Sequence, residues 1–220
     1  VFMMKNINFG YGMKLSNKLM KRLSLYLFLI LFTLQTPSQA DDISDFQIEG
    51  MSVGDSLLDY FSEKKIKKHI APTAFTSKKY IKIRFKKGFA DDDFIETYDS
   101  ITFYVKKDDK KYIIASINAH INYKNGIEKC KKQIDEIVEE LFGLFNDIKF
   151  TGIKKQNHPQ DKSGETKTYT NYFNFKSGAR GKVGCIDASI KYEAKGKHDQ
   201  LKITLGNKNY TNWLRKEAYK

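Results

Sequence analysis

The chain has 220 residues and a formal net charge of +13 at pH 7, because 39 Lys and Arg residues outnumber 26 Asp and Glu residues. Only four of the basic residues are Arg, the residue that most often reads bases through paired hydrogen bonds, so the composition argues against a nucleic-acid partner. A chain of this length buries one substantial core and does not require a second domain. Lys, Ile, Asn, Phe and Tyr are also the residues of AT-rich codons, which is an alternative explanation of the charge.

The first 40 residues carry the features of a secretory signal peptide. Lys21 and Arg22 precede twelve residues without a charge, 23–34. A transmembrane helix needs about 20 apolar residues, so the run is short for a membrane span. Ser38 and Ala40 place small side chains at the two positions that signal peptidase requires for a cut after Ala40. The pattern therefore predicts export, and an uncleaved anchor is the alternative.

Residues 1–19 lie upstream of this signal and suggest that the true start codon is at Met13 or Met20. The mature protein would be a single α+β domain of residues 41–220. Its net charge would be +8, because residues 1–40 hold five basic residues and no acidic ones. We expect it in the periplasm, without a membrane span, where positive charge favours an anionic envelope component or another envelope protein as partner.

The two cysteines, Cys130 and Cys185, both lie in the mature part. In an oxidising compartment such a pair predicts a disulfide. The alternative is a pair of free buried thiols. No Cys-x-x-Cys motif or histidine at ligand spacing accompanies them, so neither a metal nor another cofactor is expected.

The first element of the mature chain is predicted to be a short helix. Asp55 is placed to cap it. Apolar residues at helical spacing support it: Val53, Leu57, Leu58 and Phe61.

Three strands, each with one apolar and one polar face, are expected next. Apolar and polar residues alternate over 81–86, 101–106 and 113–123, and a period of two is typical of half-buried strands. The polar run at 106–111 predicts a hairpin turn, and hence an antiparallel sheet. In the third strand the apolar positions are Ile113, Ala115, Ile117, Ala119, Ile121 and Tyr123.

A long helix is predicted over residues 126–145. Asn125 is placed to cap it, with Glu128 three residues later in the manner of a capping box. Apolar residues recur at helical spacing, so one face should cover the sheet. These residues are Ile127, Cys130, Ile134, Ile137, Val138, Leu141 and Phe145.

More strands and a terminal helix complete the predicted α+β fold. The polar stretch 154–167 is expected to be a flexible loop. The segment GARG, 178–181, is expected to be a turn between strands, and the helix 209–218 should dock through Trp213 and Leu214. The strand patterns are 169–177, 183–194 and 201–205.

The polar face of the first sheet is the leading candidate for a binding site. Basic, aromatic and amide groups together suit an anion or a sugar phosphate. An ordinary solvated face is the alternative, because exposed lysines also discourage strands from aggregating. The candidate residues are Lys82, Arg84, Lys86, Tyr104, Lys106 and His120, with Asn118 and Asn122 on the same face.

Other patterns carry weaker hypotheses. The acidic stretch around Asp92, residues 91–96, could hold Ca²⁺, but its spacing departs from the known calcium loop and favours a solvated loop. The segment GARG could clamp a nucleic-acid backbone, yet its place between strands favours a hairpin. The four histidines lack partners at metal or catalytic-triad spacing, and no catalytic residue is predicted.

The segment Ile48–Leu58, IEGMSVGDSLL, resembles the opening of an uncharacterised family of small secreted proteins from AT-rich bacterial genomes. The likeness extends through the hairpin and the Cys-x₃-Ile-x₂-Ile helix to the closing Tyr-x₂-Trp-Leu. A looser likeness, through Gly50-Met51-Ser52, is to small envelope-assembly lipoproteins and related inhibitor folds. The resemblance implies a secreted protein and no particular activity.

We therefore expect a secreted binding or envelope-interaction protein without catalytic activity, and the alternative is a periplasmic hydrolase or another enzyme. A polar cleft with a carboxylate within hydrogen-bond distance of His120 would favour the enzyme. An exposed apolar patch or an unpaired strand edge would favour the binding protein.

Overall fold

The structure is a computed structural model, and it describes residues 42–89, 92–123, 126–145 and 148–220. These residues form eleven strands in antiparallel sheets and four α-helices. The predicted α+β class is confirmed. The predicted signal peptide lies outside the described residues. Among the described residues, no helix has the length and apolar character needed to cross a bilayer.

The elements follow one another along the chain with short connections. The strands are β1 (Gln47–Ile48), β2 (Met51–Ser52), β3 (Ile70–Ala71), β4 (Tyr80–Lys86), β5 (Ser100–Lys106), β6 (Ile114–Tyr123), β7 (Lys149–Phe150), β8 (Lys154–Asn157), β9 (Lys167–Asn174), β10 (Arg180–Asp187) and β11 (Asp199–Gly206). The helices are α1 (Glu63–Lys68), α2 (Ile127–Leu144), α3 (Ile190–Glu193) and α4 (Lys208–Lys216).

A nine-stranded antiparallel sheet organises the domain. Its order is β3-β4-β5-β6-β11-β10-β9-β7, and β8 also pairs with β9. Strand β11 lies between β6 and β10, so the two predicted groups of strands form one continuous sheet. Side chains from both halves of the chain therefore share each face of this sheet.

Helix α2 covers the apolar face of the sheet, as predicted. It packs against β6, β10 and β11, and Cys130, Ile134 and Leu141 are buried on its inner side. A disulfide joins Cys130 to Cys185 on β10, with the two Cα atoms 6.0 Å apart, so the predicted pairing is confirmed. The helix begins after Gly126, which makes no side-chain cap, and the predicted cap Asn125 lies outside the described residues.

Gly181 on β10 is required by the packing of the core. It lies opposite Phe173 on β9, and the ring of Phe173 is fully buried. A Cβ atom at Gly181 would fall inside the contact distance of that ring. The absence of a side chain at this position therefore lets the aromatic ring lie across the backbone of β10.

The helix predicted around Asp55 is wrong in position. Leu57–Asp59 form only a 3₁₀ turn, and α1 begins later, after its cap Ser62. The carboxylate of Asp55 instead accepts hydrogen bonds from the backbone N–H of Ser52 at 2.8 Å and from the hydroxyl of Tyr60 at 2.7 Å. A side chain that closes this local turn is not available to cap a helix.

The predicted faces of β6 are wrong at the start of the strand. The register between β5 and β6 shifts by one residue, because Val105 pairs with Ile114 and Tyr104 pairs with Ser116, which leaves Ala115 of β6 as the extra residue. Ile114 therefore enters the main core, and Ala115 faces the other side of the sheet. From Ile117 onward the predicted alternation holds, because the pairing is regular again.

Two further boundaries differ from the prediction. Strand β8 occupies the start of 154–167, the stretch expected to be a loop, and it pairs with β9. Strand β10 ends at Asp187 and does not continue to residue 194. Ser189 ends the extended conformation because its hydroxyl accepts a hydrogen bond from the Tyr192 N–H and caps α3.

The predicted terminal helix is confirmed as α4, and it packs on the polar side of the sheet. Trp213 is 1% exposed and lies with Tyr80, Ala115 and Tyr210 in a second, smaller apolar cluster. The indole N–H donates a hydrogen bond to the hydroxyl of Ser77 at 3.0 Å. Helix α4 therefore covers one end of the polar face that the sequence predicted to be solvated.

Candidate anion-binding cavity

The face of the sheet opposite α2 is polar across six strands, from β4 to β9. The strand registers align its side chains in rows that cross the sheet. One row is Arg84, Thr102, Asn118, Thr204, Lys182 and Tyr172. The next is Lys86, Ser100, His120, Lys202, Gly184 and Thr170.

This polar face is the floor of a cavity of about 790 Å³. Tyr219, just after α4, lines one end of it. At the other end lie the loop that follows β8 and helix α3, where the rings of His158 and Tyr192 are 5.2 Å apart between centroids. Volumes of this size are typical of small-molecule sites.

The structure brings most of the predicted candidate residues into the cavity. Lys82, Arg84, Lys86, Tyr104 and His120 line it, as do the two asparagines of the same face. Their role in binding stays a prediction.

Lys106 and Tyr104 differ from the expected wet face. Lys106 is exposed and does not line the cavity; it pairs with Tyr80 at the end of the sheet that carries the α4 cluster. Tyr104 is half-buried, because its ring packs 5.2 Å from that of Tyr210 and 5.7 Å from that of Phe75. Burial raises the pKa of Tyr104 to about 12, so its hydroxyl stays protonated.

Two central cations of the cavity, Lys182 and Lys202, were not among the candidates predicted from the sequence. A signal was present, because each alternates with apolar neighbours such as Val183 and Ile203 and therefore had to face away from the core. The sequence pattern did not contain the strand order, in which β11 pairs with β6 and places Lys202 opposite His120, while Lys182 lies on the next strand, β10.

The two central cations of the cavity, Lys182 and Lys202, are partly desolvated and have like-charged neighbours. Lys202 is half-buried, and burial, followed by the charges of Lys182, Lys82 and Arg84, lowers the pKa of Lys202 to about 7. Burial is also the main cause that lowers the pKa of Lys182. For His120, burial and the same cations lower the pKa to about 3, so its imidazole is neutral at ordinary pH.

Within the described part of the chain, the cavity is lined by six Lys and Arg side chains and by one carboxylate, that of Asp99. Asp99 already accepts hydrogen bonds from the backbone N–H of Asn122 at 2.6 Å and from its side-chain amide at 3.0 Å. Neither Lys182 nor Lys202 forms an ion pair with a described residue. Buried charges normally have such partners, so this cluster is electrostatically incomplete.

Four buried polar atoms on this face also lack hydrogen-bond partners among the described residues. They are Oγ of Ser116, Nδ1 of His120, Nε of Arg180 and Oγ1 of Thr204. Most buried polar groups in proteins are hydrogen-bonded. The guanidinium of Arg180 lies over the ring of Tyr172, 4.2 Å from its centroid, which holds the cation at the edge of the floor.

The acidic stretch does not form a calcium site among its described residues. Asp92 is fully buried, and its oxygens lie 3.1 Å from Nε2 of His69 and 3.7 Å from Nζ of Lys65. It also accepts a hydrogen bond from the backbone N–H of Lys86. The expectation of a solvated loop is therefore wrong for Asp92, which ties β4 to the end of α1, while Asp91 lies outside the described residues. No cluster of three or more possible metal ligands occurs in the described ranges.

No family model matches the chain, and neither a curated protein nor a solved structure matches it. The resemblance carried by Ile48–Leu58 therefore stays a prediction. A function must be inferred from the chemistry of the cavity itself.

Proposed function

We propose that the protein binds a small anionic molecule in the cavity, and that it does so as a secreted, non-enzymatic protein of the bacterial periplasm. The observation that carries this proposal is the cluster of cations around Lys182 and Lys202, which has no carboxylate partner among the described residues. An anion placed between these lysines and Arg84 would supply the missing charge. Anionic oxygens also form the strongest hydrogen bonds with such donors.

The positions of Lys182 and Lys202 favour a role in ligand binding over a role in keeping the protein soluble. Lysines that keep a protein soluble extend into water, whereas Lys182 and Lys202 are half-buried on central strands. Placing two ammonium groups there costs folding free energy, since both desolvation and repulsion disfavour their charged forms. A bound anion removes part of that cost, so the free energy of binding includes the relief of this repulsion.

The end of the cavity near helix α3 offers a ligand further contacts. Amide side chains of Asn122, Gln156 and Gln200 lie there, with the aromatic ring of Tyr192. Amides and aromatic rings offer hydrogen bonds and flat apolar surface to the uncharged part of a ligand. The pairing that would favour a hydrolase, a carboxylate hydrogen-bonded to His120, is not formed by any described residue.

Calorimetric titration with inorganic phosphate tests the proposal. Wild type should bind with measurable heat, and Lys182→Met combined with Lys202→Met should weaken binding about tenfold or more, because a hydrogen bond to a charged group contributes about 1.5–3 kcal/mol. Lys155→Met is the matched control, since Lys155 lies on β8 with its ammonium 5.5 Å from the ring centre of Tyr169, away from the cavity. Absence of binding to wild type, or equal binding by the double variant, would refute the proposal.

A further inference from the structure

Lys202 lies at the centre of the cavity floor. It projects from β11, the strand at the middle of the polar face, with His120 opposite it on β6 and Gly184 opposite it on β10. It is half-buried, yet it lines the open cavity. Lys202 is therefore partly shielded from water by the protein, but a small molecule in the cavity can still reach it.

The charged groups that face Lys202 come from two strands and share one sign. They are Lys182 on β10, together with Lys82 and Arg84 on β4. The imidazole of His120 on β6 adds no negative charge, and the described carboxylate of the cavity, Asp99, already accepts two hydrogen bonds from Asn122. Burial and like charge both favour the free amine over the ammonium ion, and they lower the pKa of Lys202 to about 7.

A lysine amine that is free near neutral pH is a nucleophile toward carbonyl carbon. We propose that Lys202 forms a reversible imine with a carbonyl compound that carries a negative charge. This inference rests on the proposed function, because the surrounding cations would hold the anionic group. That group would lie against Lys182 on the neighbouring strand β10, so the carbonyl carbon could approach Lys202 without placing the negative charge beside its Nζ.

The covalent step balances without any other reagent. The lone pair of Nζ adds to the carbonyl carbon, and the oxygen takes up the proton that nitrogen releases, which gives a carbinolamine. Loss of that hydroxyl together with the second nitrogen proton releases one water molecule and leaves the carbon–nitrogen double bond. Addition of water reverses the reaction, so no oxidant or reductant is needed.

Other lysines of the cavity meet these conditions less well. Lys86 and Lys197 are exposed, so water surrounds their ammonium groups. Lys82 lies on β4, next to the short edge strand β3, and its Nζ donates a hydrogen bond to the carbonyl of Pro72 at 3.3 Å. The ammonium form makes this hydrogen bond more strongly than the free amine does, so the contact disfavours loss of the proton. Lys182 is also half-buried in the cavity, but Arg180 is the cation that adds to burial in lowering its pKa, whereas three cations act on Lys202. Lys202 is thus the lysine that combines burial and access with the most like-charged neighbours.

Pyridoxal 5′-phosphate is a suitable probe because it carries an aldehyde and a phosphate on one small ring, and pyridoxal is its matched control without the phosphate. The full mature chain is incubated with less than one equivalent of each aldehyde at pH 7.5. Cyanoborohydride then fixes any imine as a stable amine and spares the disulfide. Peptide mapping by mass spectrometry locates the modified lysines.

We expect the phosphorylated aldehyde to label Lys202 at least tenfold more than the exposed Lys155, and pyridoxal to label Lys202 much less. Lys202→Arg should abolish the label at this position, while Lys155→Met should leave it unchanged. Labelling of lysines in proportion to their exposure would overturn the inference, and this result is obtained on wild type, so it does not depend on a variant that folds.

The titration with inorganic phosphate separates the two proposals. If phosphate binds wild type but Lys202 is not labelled, the nucleophile is refuted and the anion site stands. If phosphate does not bind and no lysine is labelled selectively, both are refuted. Selective labelling by both aldehydes alike would show a reactive amine without an anion site, and it would overturn the requirement for negative charge.

Discussion

Sulfate binding should be coupled to proton uptake at alkaline pH because of Lys202. With its pKa lowered to about 7 in the free protein, roughly nine in ten Lys202 side chains are neutral at pH 8. An anion beside Nζ favours the ammonium form, so binding should bring a proton onto this lysine. Sulfate itself remains a dianion throughout this range, and any proton taken up therefore enters the protein.

The number of protons taken up depends on how far sulfate raises the pKa of Lys202. If sulfate returns the pKa of Lys202 to about 9 or above, binding at pH 8 takes up about 0.8 proton or more, and the dissociation constant rises by up to about tenfold per pH unit above 7. Lys182, whose pKa is also lowered, adds to the uptake in the same direction. His120, with its pKa lowered to about 3, stays neutral between pH 6 and 9 and contributes nothing.

Calorimetry in two buffers of different ionisation enthalpy measures this uptake directly. The apparent enthalpy at pH 8 should depend on the buffer, and the dependence should nearly vanish at pH 6, where Lys202 is already mostly charged in the free protein. Lys202→Met should bind more weakly and take up fewer protons, while Lys155→Met should behave as wild type. Equally tight binding at pH 6 and pH 9 with no buffer dependence would refute the electrostatic reasoning.

Three further changes test the fold that supports the cavity. Reduction of the Cys130–Cys185 bond, whose cysteines are 55 residues apart, should lower the free energy of unfolding by about 4 kcal/mol; identical thermal unfolding with and without reductant would contradict this. Gly181→Ala should cost about 1–3 kcal/mol in urea unfolding because its methyl group meets the ring of Phe173. Adding Phe173→Leu should restore part of that loss, whereas strictly additive losses would be evidence against the contact. Asp92→Asn should cost about 3–5 kcal/mol because the carboxylate is fully buried, pairs with the ammonium of Lys65 and contacts the imidazole of His69, and a loss below about 1 kcal/mol would show that these contacts are dispensable.

The parts of the fold that were predicted correctly are those encoded by local spacing. A period of two gave β4 and β5, since each strand buries one face whatever its neighbours are. The helical stripe containing Cys130 and Leu141 gave α2 in the same way. The disulfide was predicted from an expected oxidising compartment and from the number of cysteines, without any knowledge of the distance between the two residues.

The parts that were missed depend on pairings between distant segments. His120 and Lys202 are cross-strand partners although 82 positions separate them, and no local pattern specifies that partnership. The irregularity at Tyr104 and the cover that α4 places over the same face are likewise tertiary features. The cations of β4 in the candidate site were therefore predictable from the sequence. The half-buried lysines, Lys182 and Lys202, make the site unusual, and locating them required the order of the strands.

The buried lysines imply that the ligand-free protein is less stable than it could be. The pKa of Lys202 falls from an ordinary value of 10.5 to about 7 because folding buries the charge among other cations. Below pH 7 Lys202 is charged in the folded state as well as in the unfolded state, so the full cost of burying the ammonium group lowers the free energy of unfolding. Between pH 7 and 10.5 the unfolded state binds more protons than the folded state, so the stability of wild type should rise with pH in this range.

Replacing both lysines by methionine removes the electrostatic penalty and keeps an unbranched side chain of only slightly shorter length. In buffer free of phosphate and sulfate, Lys182→Met combined with Lys202→Met should raise the free energy of unfolding at pH 6 by about 1–2 kcal/mol, after discounting the pKa shift for the partial exposure of both side chains. The gain should shrink steadily toward pH 10, and urea unfolding at several pH values measures it. A double variant less stable than wild type at pH 6 would mean that the lysines support the fold, and their placement would then no longer argue for a ligand. A double variant that gains stability while it loses phosphate binding would instead show that these cations are kept at the expense of stability, as expected of a binding site.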